Sequence, residues 1–425
     1  MPESTPMATD LLIHNLAEVA TPEGTEPRRG RDQGRVRRMR GAEVLCREGR
    51  IAFVGEAEER RRRFGELPDA ERLDGRGGTL IPGFVDPHTH LPWAGSREEE
   101  FSARLAGKTY QEIAAAGGGI LSTVAATRGT SEEDLAANVA RRLDHMLACG
   151  TTTAEAKSGY GLSRDDELKQ LRAIRRAAAS HAVDLVPTLL AAHEIPPEHR
   201  QDRRRYVDLI CEEIVPATAE AGLARFCDVF CEQGVFSAEE SRRVLAAGVR
   251  HGLAPRLHAD EFVDSGGAEL AAELAAFSAD HLMAVSPAGI EALARAGVTA
   301  VLLPGTSFFL MKHRYAPARR LVEAGVPVAL ATDCNPGSSY TESMPMVVVL
   351  AVFELGLSIE ESLTAATLNA ACSLGLGHEI GTIETAKRAD LVLLGAPNLL
   401  HLAYHYGVNP VAAVVKGGRV ALRAA

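Results

Sequence analysis

The chain has 425 residues, enough for one large core with a small appendage, and its 46% hydrophobic and 24% charged residues exclude a disordered polymer. With 46 basic against 56 acidic side chains, the formal net charge of -10 disfavours nucleic-acid phosphates and anionic lipid as partners. Seven scattered cysteines read as reduced thiols, and no stretch is apolar for long enough to span a bilayer, so a soluble cytoplasmic protein is expected.

The first pieces are β-rich. LLIHNLAEVA is followed by AEVLCREGRIAFVG, in which Glu48-Gly49 supplies a hairpin turn between two alternating runs. Between them the basic cluster from Arg28 to Arg40 has no interleaved aromatics and reads as an exposed loop. The chain closes with ADLVLLGA and VAAVVKGGRVAL, again strand, Gly-rich turn and strand. The two ends are therefore expected to pair into one small β domain, residues 1–79 with 379–425.

Residues 80–378 alternate apolar runs with Ala-, Leu-, Glu- and Arg-rich segments of helical period such as SRDDELKQLRAIRRAAA. Eight strands are predicted: TLIPGFVD, TTTAEA, DLVPTLLAA, FCDVF, APRLHA, FSADHL, VTAVLLPG and PVALAT. Eight strand-helix units imply an α/β fold, a closed (β/α)8 TIM-type barrel with its site at the carboxyl ends of the strands. A doubly wound open sheet is the competing topology, but no G-x-G-x-x-G turn follows the first strand.

Polar residues of catalytic type do cluster after these strands. D-P-H-T-H follows the first, and residues two apart on an extended segment point the same way, so His88 and His90 aim at one point. Alone, such a pair carries little weight in a chain with 14 histidines. His258 after APRL, His281 after SAD and Asp333 after ALAT add three more strand ends with ligand-type residues. His88, His90, His258 and Asp333 suit one zinc or iron ion with a position left for water. Such an ion lowers the pKa of that water and polarises a carbonyl under attack. Glu261, in H-A-D-E, is placed to shuttle a proton to substrate, and His281 with Asp333 to orient or deprotonate the water. Asp260 reads as structural.

Several longer strings are more particular: DPHTHLPWAGSREEEF, GGGILSTVAATR, KSGYGL, DVFCEQGVFS, ATDCNPGSSYTESMP and HLAYHYGVNPV. On these the chain resembles the imidazolonepropionases, a family of the amidohydrolase superfamily acting in histidine degradation. The resemblance covers most of the chain and implies a metal-dependent hydrolase cleaving a carbon-nitrogen bond of a cyclic amide. The implied reaction turns 4-imidazolone-5-propanoate into N-formimidoyl-L-glutamate. It implies the same four metal ligands and substrate contacts at Arg97, Tyr160, His193, Glu261, Asn335, Gly337 and Ser338, beside the catalytic roles read above for Glu261, His281 and Asp333. Arg97 is expected to take the anionic tail, and Gly337 to let backbone N–H groups approach the substrate. It also suggests a homodimer acting on a small-molecule substrate, while the terminal β domain could equally support a monomer; charge and hydropathy, as above, leave no role for nucleic acid or membrane. Two departures stand out: Ala191 lies where glycine is expected before the alanine that precedes His193, and the Arg-rich segment 28–40 is unusual. The rival readings are a nucleobase-type aminohydrolase of the same superfamily and a non-catalytic scaffold.

Overall fold

The computed structural model describes residues 10–108, 112 and 118–424. One parallel sheet takes eight strands in chain order: β1 (Phe84–Asp86), β2 (Thr151–Lys157), β3 (Asp184–Ala192), β4 (Phe226–Cys231), β5 (Ala254–Ala259), β6 (Ser278–His281), β7 (Thr299–Leu302) and β8 (Val328–Leu330). Just beyond β1 and β8 the first and last strands meet: Thr89 and Cys334 form a parallel bridge, and His90 N donates to Cys334 O at 3.0 Å. The sheet thus closes into a barrel, as the strand count predicts.

Sequence pattern explains the outer layer. Helix Arg164–Ala178 is capped by Ser163 and buries Leu168, Leu171 and Ile174, one stripe at helical spacing with charges opposite. Helix Glu132–Ala148 does the same with Leu135, Val139, Leu143 and Met146, capped by Ser131. Strands such as β2 are buried at every position because helices cover one face and the barrel interior the other.

The two ends of the chain share a second region of two sheets. Arg50–Glu56, Ala42–Arg47, Leu11–His14 and Glu71–Asp74 form a four-stranded sheet. A six-stranded sheet runs through Arg419–Arg423, Val411–Lys416, Leu391–Leu394, Thr79–Pro82, Glu18–Thr21 and Arg37–Arg40. Leu11, Ile13 and Val44 pack with Leu391, Leu393 and Val415 in one core, so the ends are joined by burial as well as by strand pairing. Glu48 (φ 51) and Gly49 (φ 77) make the expected left-handed hairpin turn.

Three elements differ from expectation. TLIPGFVD is not one strand: Thr79–Pro82 belongs to the six-stranded sheet and Phe84–Asp86 to the barrel. The chain changes sheet at Gly83, where a Cβ would lie 2.5 Å from Thr152 Cγ2. LLIHNLAEVA divides likewise at Asn15, whose φ is 55. The basic cluster is exposed as expected, but its end is a strand and not a loop. Arg37–Arg40 is an edge strand paired with Glu18–Thr21, and Arg38 bonds Glu18 and Glu360. The buried Gln33 accepts from Val328 N at 3.1 Å, which ties this segment to the start of β8.

Candidate metal centre and active site

The barrel brings the predicted ligands together from three directions. His88 and His90 follow β1, His258 lies within β5, and Asp333 follows β8 in the left-handed region with φ 55. His88 Nε2 and His90 Nε2 each lie 3.4 Å from Asp333 Oδ1, and His258 Nε2 lies 3.4 Å from His90 Nε2. Ligands about 2.1 Å from one ion in tetrahedral array are about 3.4 Å apart, which these three distances match; within 4.8 Å the ligand atoms form two triads that share His88, one with His90 and Asp333 and one with His258 and His281, a donor set suited to a divalent cation. His88 Nε2 is moreover buried without a hydrogen bond. His281 ends β6 with φ 76, and its ligand atom lies within 4.8 Å of those of His88 and His258. Two strained residues at one centre, Asp333 and His281, mark a site whose geometry the surrounding fold imposes.

Behind the ligands lies a charged network that the sequence reading passed over. His88 Nδ1 is 2.6 Å from Asp280 Oδ2, and His258 Nδ1 is 3.1 Å from Asp228 Oδ2. At His88 the carboxylate fixes the ring tautomer and leaves the Nε2 lone pair facing the centre, whereas the Asp228 carboxylate is a charge beside His258 Nδ1 without a hydrogen bond to it. Lys157 joins the two arms, 2.7 Å from Asp228, 2.8 Å from Glu155 and 3.9 Å from Asp280, while Arg256 lies 3.4 Å from Asp280. All five are fully buried. Burial pushes Asp280 up, but Arg256 and the His88 ring outweigh it and hold the carboxyl below its ordinary range. Burial likewise opposes Asp333's charge, and the rings of His88 and His90 hold it well below that range. Glu155, Asp228, Asp280 and Asp333 against Lys157 and Arg256 leave two buried negative charges, which a divalent cation offsets.

A cavity of about 940 Å³ opens above this centre. Every expected site residue except His88 lines it: His90, Arg97, Tyr160, His193, His258, Glu261, His281, Asp333, Asn335, Gly337 and Ser338. His193 Nδ1 lies 2.9 Å from Gly159 O, so that nitrogen carries the proton and Nε2 is an acceptor. Glu261 Oε2 is 3.8 Å from His281 Nε2; burial first, then the charge of Asp333, pushes the Glu261 carboxyl well up. Thr306 Oγ1 donates to Asp333 Oδ2 at 2.6 Å and fixes that carboxylate's plane.

Comparison with known proteins gives this geometry a family. The amidohydrolase family model matches residues 79–421. An imidazolonepropionase of Symbiobacterium thermophilum is 52% identical over 412 residues, covering 97% of each chain. One of Geobacillus kaustophilus is 52% identical over 378 residues, 89% of each chain. The chain belongs to the imidazolonepropionase family of amidohydrolases. It is a metal-dependent hydrolase acting on a carbon-nitrogen bond of a cyclic amide. Among solved structures, E. coli guanine deaminase (TM-score 0.72, 16% identity, 98% and 100% of the two chains) shares the fold. So does a zinc-bound adenosine deaminase of Xanthomonas campestris (TM-score 0.68, 20% identity, 99% and 94%).

Two of the cavity-lining residues also have local partners. Gly337 N donates to Asn335 Oδ1 at 2.8 Å, and the missing Cβ makes room for Arg97, whose Cζ would lie 2.6 Å from it. Asn335 accepts from Gly337 N and Ser338 N and donates to Asp333 O and Ser338 Oγ, so its amide is occupied in shaping the loop. The missed network had a faint signal. Glu155 and Lys157 on β2, and Arg256 and His258 on β5, recur at spacing two inside strands whose other residues are uncharged, which aims charge into the barrel.

Proposed function

We propose that the chain hydrolyses 4-imidazolone-5-propanoate to N-formimidoyl-L-glutamate, with His88, His90, His258 and Asp333 holding one zinc or iron ion. The observation that carries this reading is a single cavity lined by His90, His258 and Asp333, by the buried Glu261 carboxyl, which burial pushes well up from its ordinary range, and by the Arg97 guanidinium. A divalent cation bound there polarises the ring carbonyl and lowers the pKa of water.

The chain's own residues do the rest. Asp333 and His281 take the proton of the attacking water as its oxygen bonds to the carbonyl carbon. The ring carbon-nitrogen bond then breaks, and Glu261, facing His281 across 3.8 Å, delivers a proton to the departing nitrogen. Tyr160, the His193 Nε2 acceptor and Ser338 contact the ring, and Arg97 faces the propanoate. The same reading starts the catalytic domain at Phe84 and not at residue 80, because Thr79–Pro82 pairs in the six-stranded sheet, and runs it to residue 378; the segments before and after it form the small β domain, and the assembly is a cytoplasmic homodimer. Among the described residues no helix is long and apolar enough to cross a membrane.

The test is loss of the substrate's ultraviolet absorbance, followed in wild type and Glu261→Gln. The variant is expected to keep its metal and lose at least about 100-fold in kcat. Full activity in that variant removes Glu261 from the mechanism, and ammonia release by wild type favours the aminohydrolase instead.

A further inference from the structure

The cavity wall that faces an anionic tail holds more positive charge than Arg97 supplies. Arg97 is itself engaged, because Nε and Nη2 both donate to Glu100 Oε2 at 3.0 and 2.8 Å. Two helical turns along Glu98–Leu105, on the same face, Arg104 lines the same cavity. Its Nη1 donates to Gly337 O at 3.3 Å, a long bond, and its buried Nε has no hydrogen bond among the described residues. The guanidinium lies 5.0 Å from the Phe309 ring centroid and 5.7 Å from that of Phe101, rings stacked on each other at 5.1 Å. These faces hold its plane and keep water from one side.

Both guanidiniums converge on Gly337, Arg97 against its missing side chain and Arg104 at its carbonyl. Among the described residues, Glu100 is the carboxylate whose charge acts on both. The charges acting on Arg104 are those of Arg97, which oppose it, and Glu100, already bonded to Arg97. An anion between the two guanidiniums relieves their repulsion and supplies the partner that Arg104 Nε lacks.

We infer that Arg104 is a specificity-determining residue of this site, closing with Arg97 on the carboxylate of the substrate's tail and selecting acidic over neutral-tailed ring amides. This rests on the proposed reaction. It assigns Arg104 a direct contact with substrate, and it gives the Phe101 and Phe309 stack the task of presenting the guanidinium.

The experiment compares wild type, Arg104→Met and Arg104→Lys on 4-imidazolone-5-propanoate and on its methyl ester, which has a neutral tail. Arg104→Met keeps an apolar stem over the two rings and loses the charge. KM for the acid is expected to rise about 10- to 100-fold with kcat little changed, as for loss of one charge-assisted bond, while KM for the ester barely moves. Arg104→Lys is expected to fall between the two on the acid. Equal KM for the acid in wild type and Arg104→Met overturns the assignment, and so does an equal loss on acid and ester, which is what lost packing alone produces. If Arg104→Met does not fold, Arg104→Lys with wild-type KM on the acid overturns it. A wild type inactive on the acid removes the proposed reaction, and this subsite with it; an active wild type with an indifferent Arg104 removes only the subsite.

Discussion

Replacing Asp280 with Asn keeps an acceptor for His88 Nδ1 and removes the charge behind it. Asp280 Oδ2 lies 2.6 Å from that nitrogen, so one imidazole separates it from a cation at His88 Nε2. The span is about 7 Å, over which a unit charge acts on a divalent ion with about 5 kcal/mol at an effective dielectric of about 20. Part of this is returned. Burial, then Lys157, work against a charged His88, but Asp280 and Asp333 outweigh them and lift the ring to about 9. At neutral pH a cation must therefore displace a proton held by about 3 kcal/mol, and the Asn variant holds that proton less tightly. The net loss is about 2 kcal/mol, or about 30-fold in metal affinity, within the 10- to 100-fold typical for removing such a partner. The sign extends to pH: wild-type affinity climbs as pH rises towards 9, and the Asn variant levels off at lower pH. Competition with a fluorescent chelator on metal-stripped protein measures both. A folded Asp280→Asn with unchanged affinity and pH profile refutes the reasoning.

Gly337→Ala puts a Cβ 2.6 Å from Arg97 Cζ, a guanidinium pinned by Glu100. The backbone there is not left-handed, so alanine itself adds no strain, and a melting temperature near wild type with KM raised about 10-fold is expected. Unaltered KM would mean that Arg97's position is unimportant for binding. Lys157→Met leaves Asp228, Glu155 and Asp280 without their shared cation in a fully buried place. Urea unfolding is expected to show a loss of about 3–5 kcal/mol, and equal stability would show that the network is balanced from elsewhere.

The helices and most strands were legible in the chain because each has its own local period and its own stop signals. Arg164–Ala178 and the hairpin at Glu48-Gly49 are examples. The candidate ligand residues stood out for a different reason: they sit at strand ends, where a barrel gathers its loops, and His88 and His90 share one face of an extended segment. What local pattern missed was settled at a distance. Gln33 is polar in sequence and buried in the fold because Val328 N needs an acceptor 295 residues away. TLIPGFVD looks continuous, since nothing local says that its halves have different neighbours.

By itself the sequence determined a closed α/β barrel, the ends that pair beside it, and the imidazole and carboxylate side chains able to share a cation. Only the tertiary structure decided which charges stand behind those side chains. Lys157, Asp228, Arg256 and Asp280 come from four different strands and meet only when the barrel closes. The same closure occupies Asn335 within its loop and sets Arg97 and Arg104 on either side of Gly337. Side-chain chemistry is a property of each residue, but a pKa, a tautomer or an unpartnered donor is a property of neighbours, and those are fixed by packing between residues far apart in the chain.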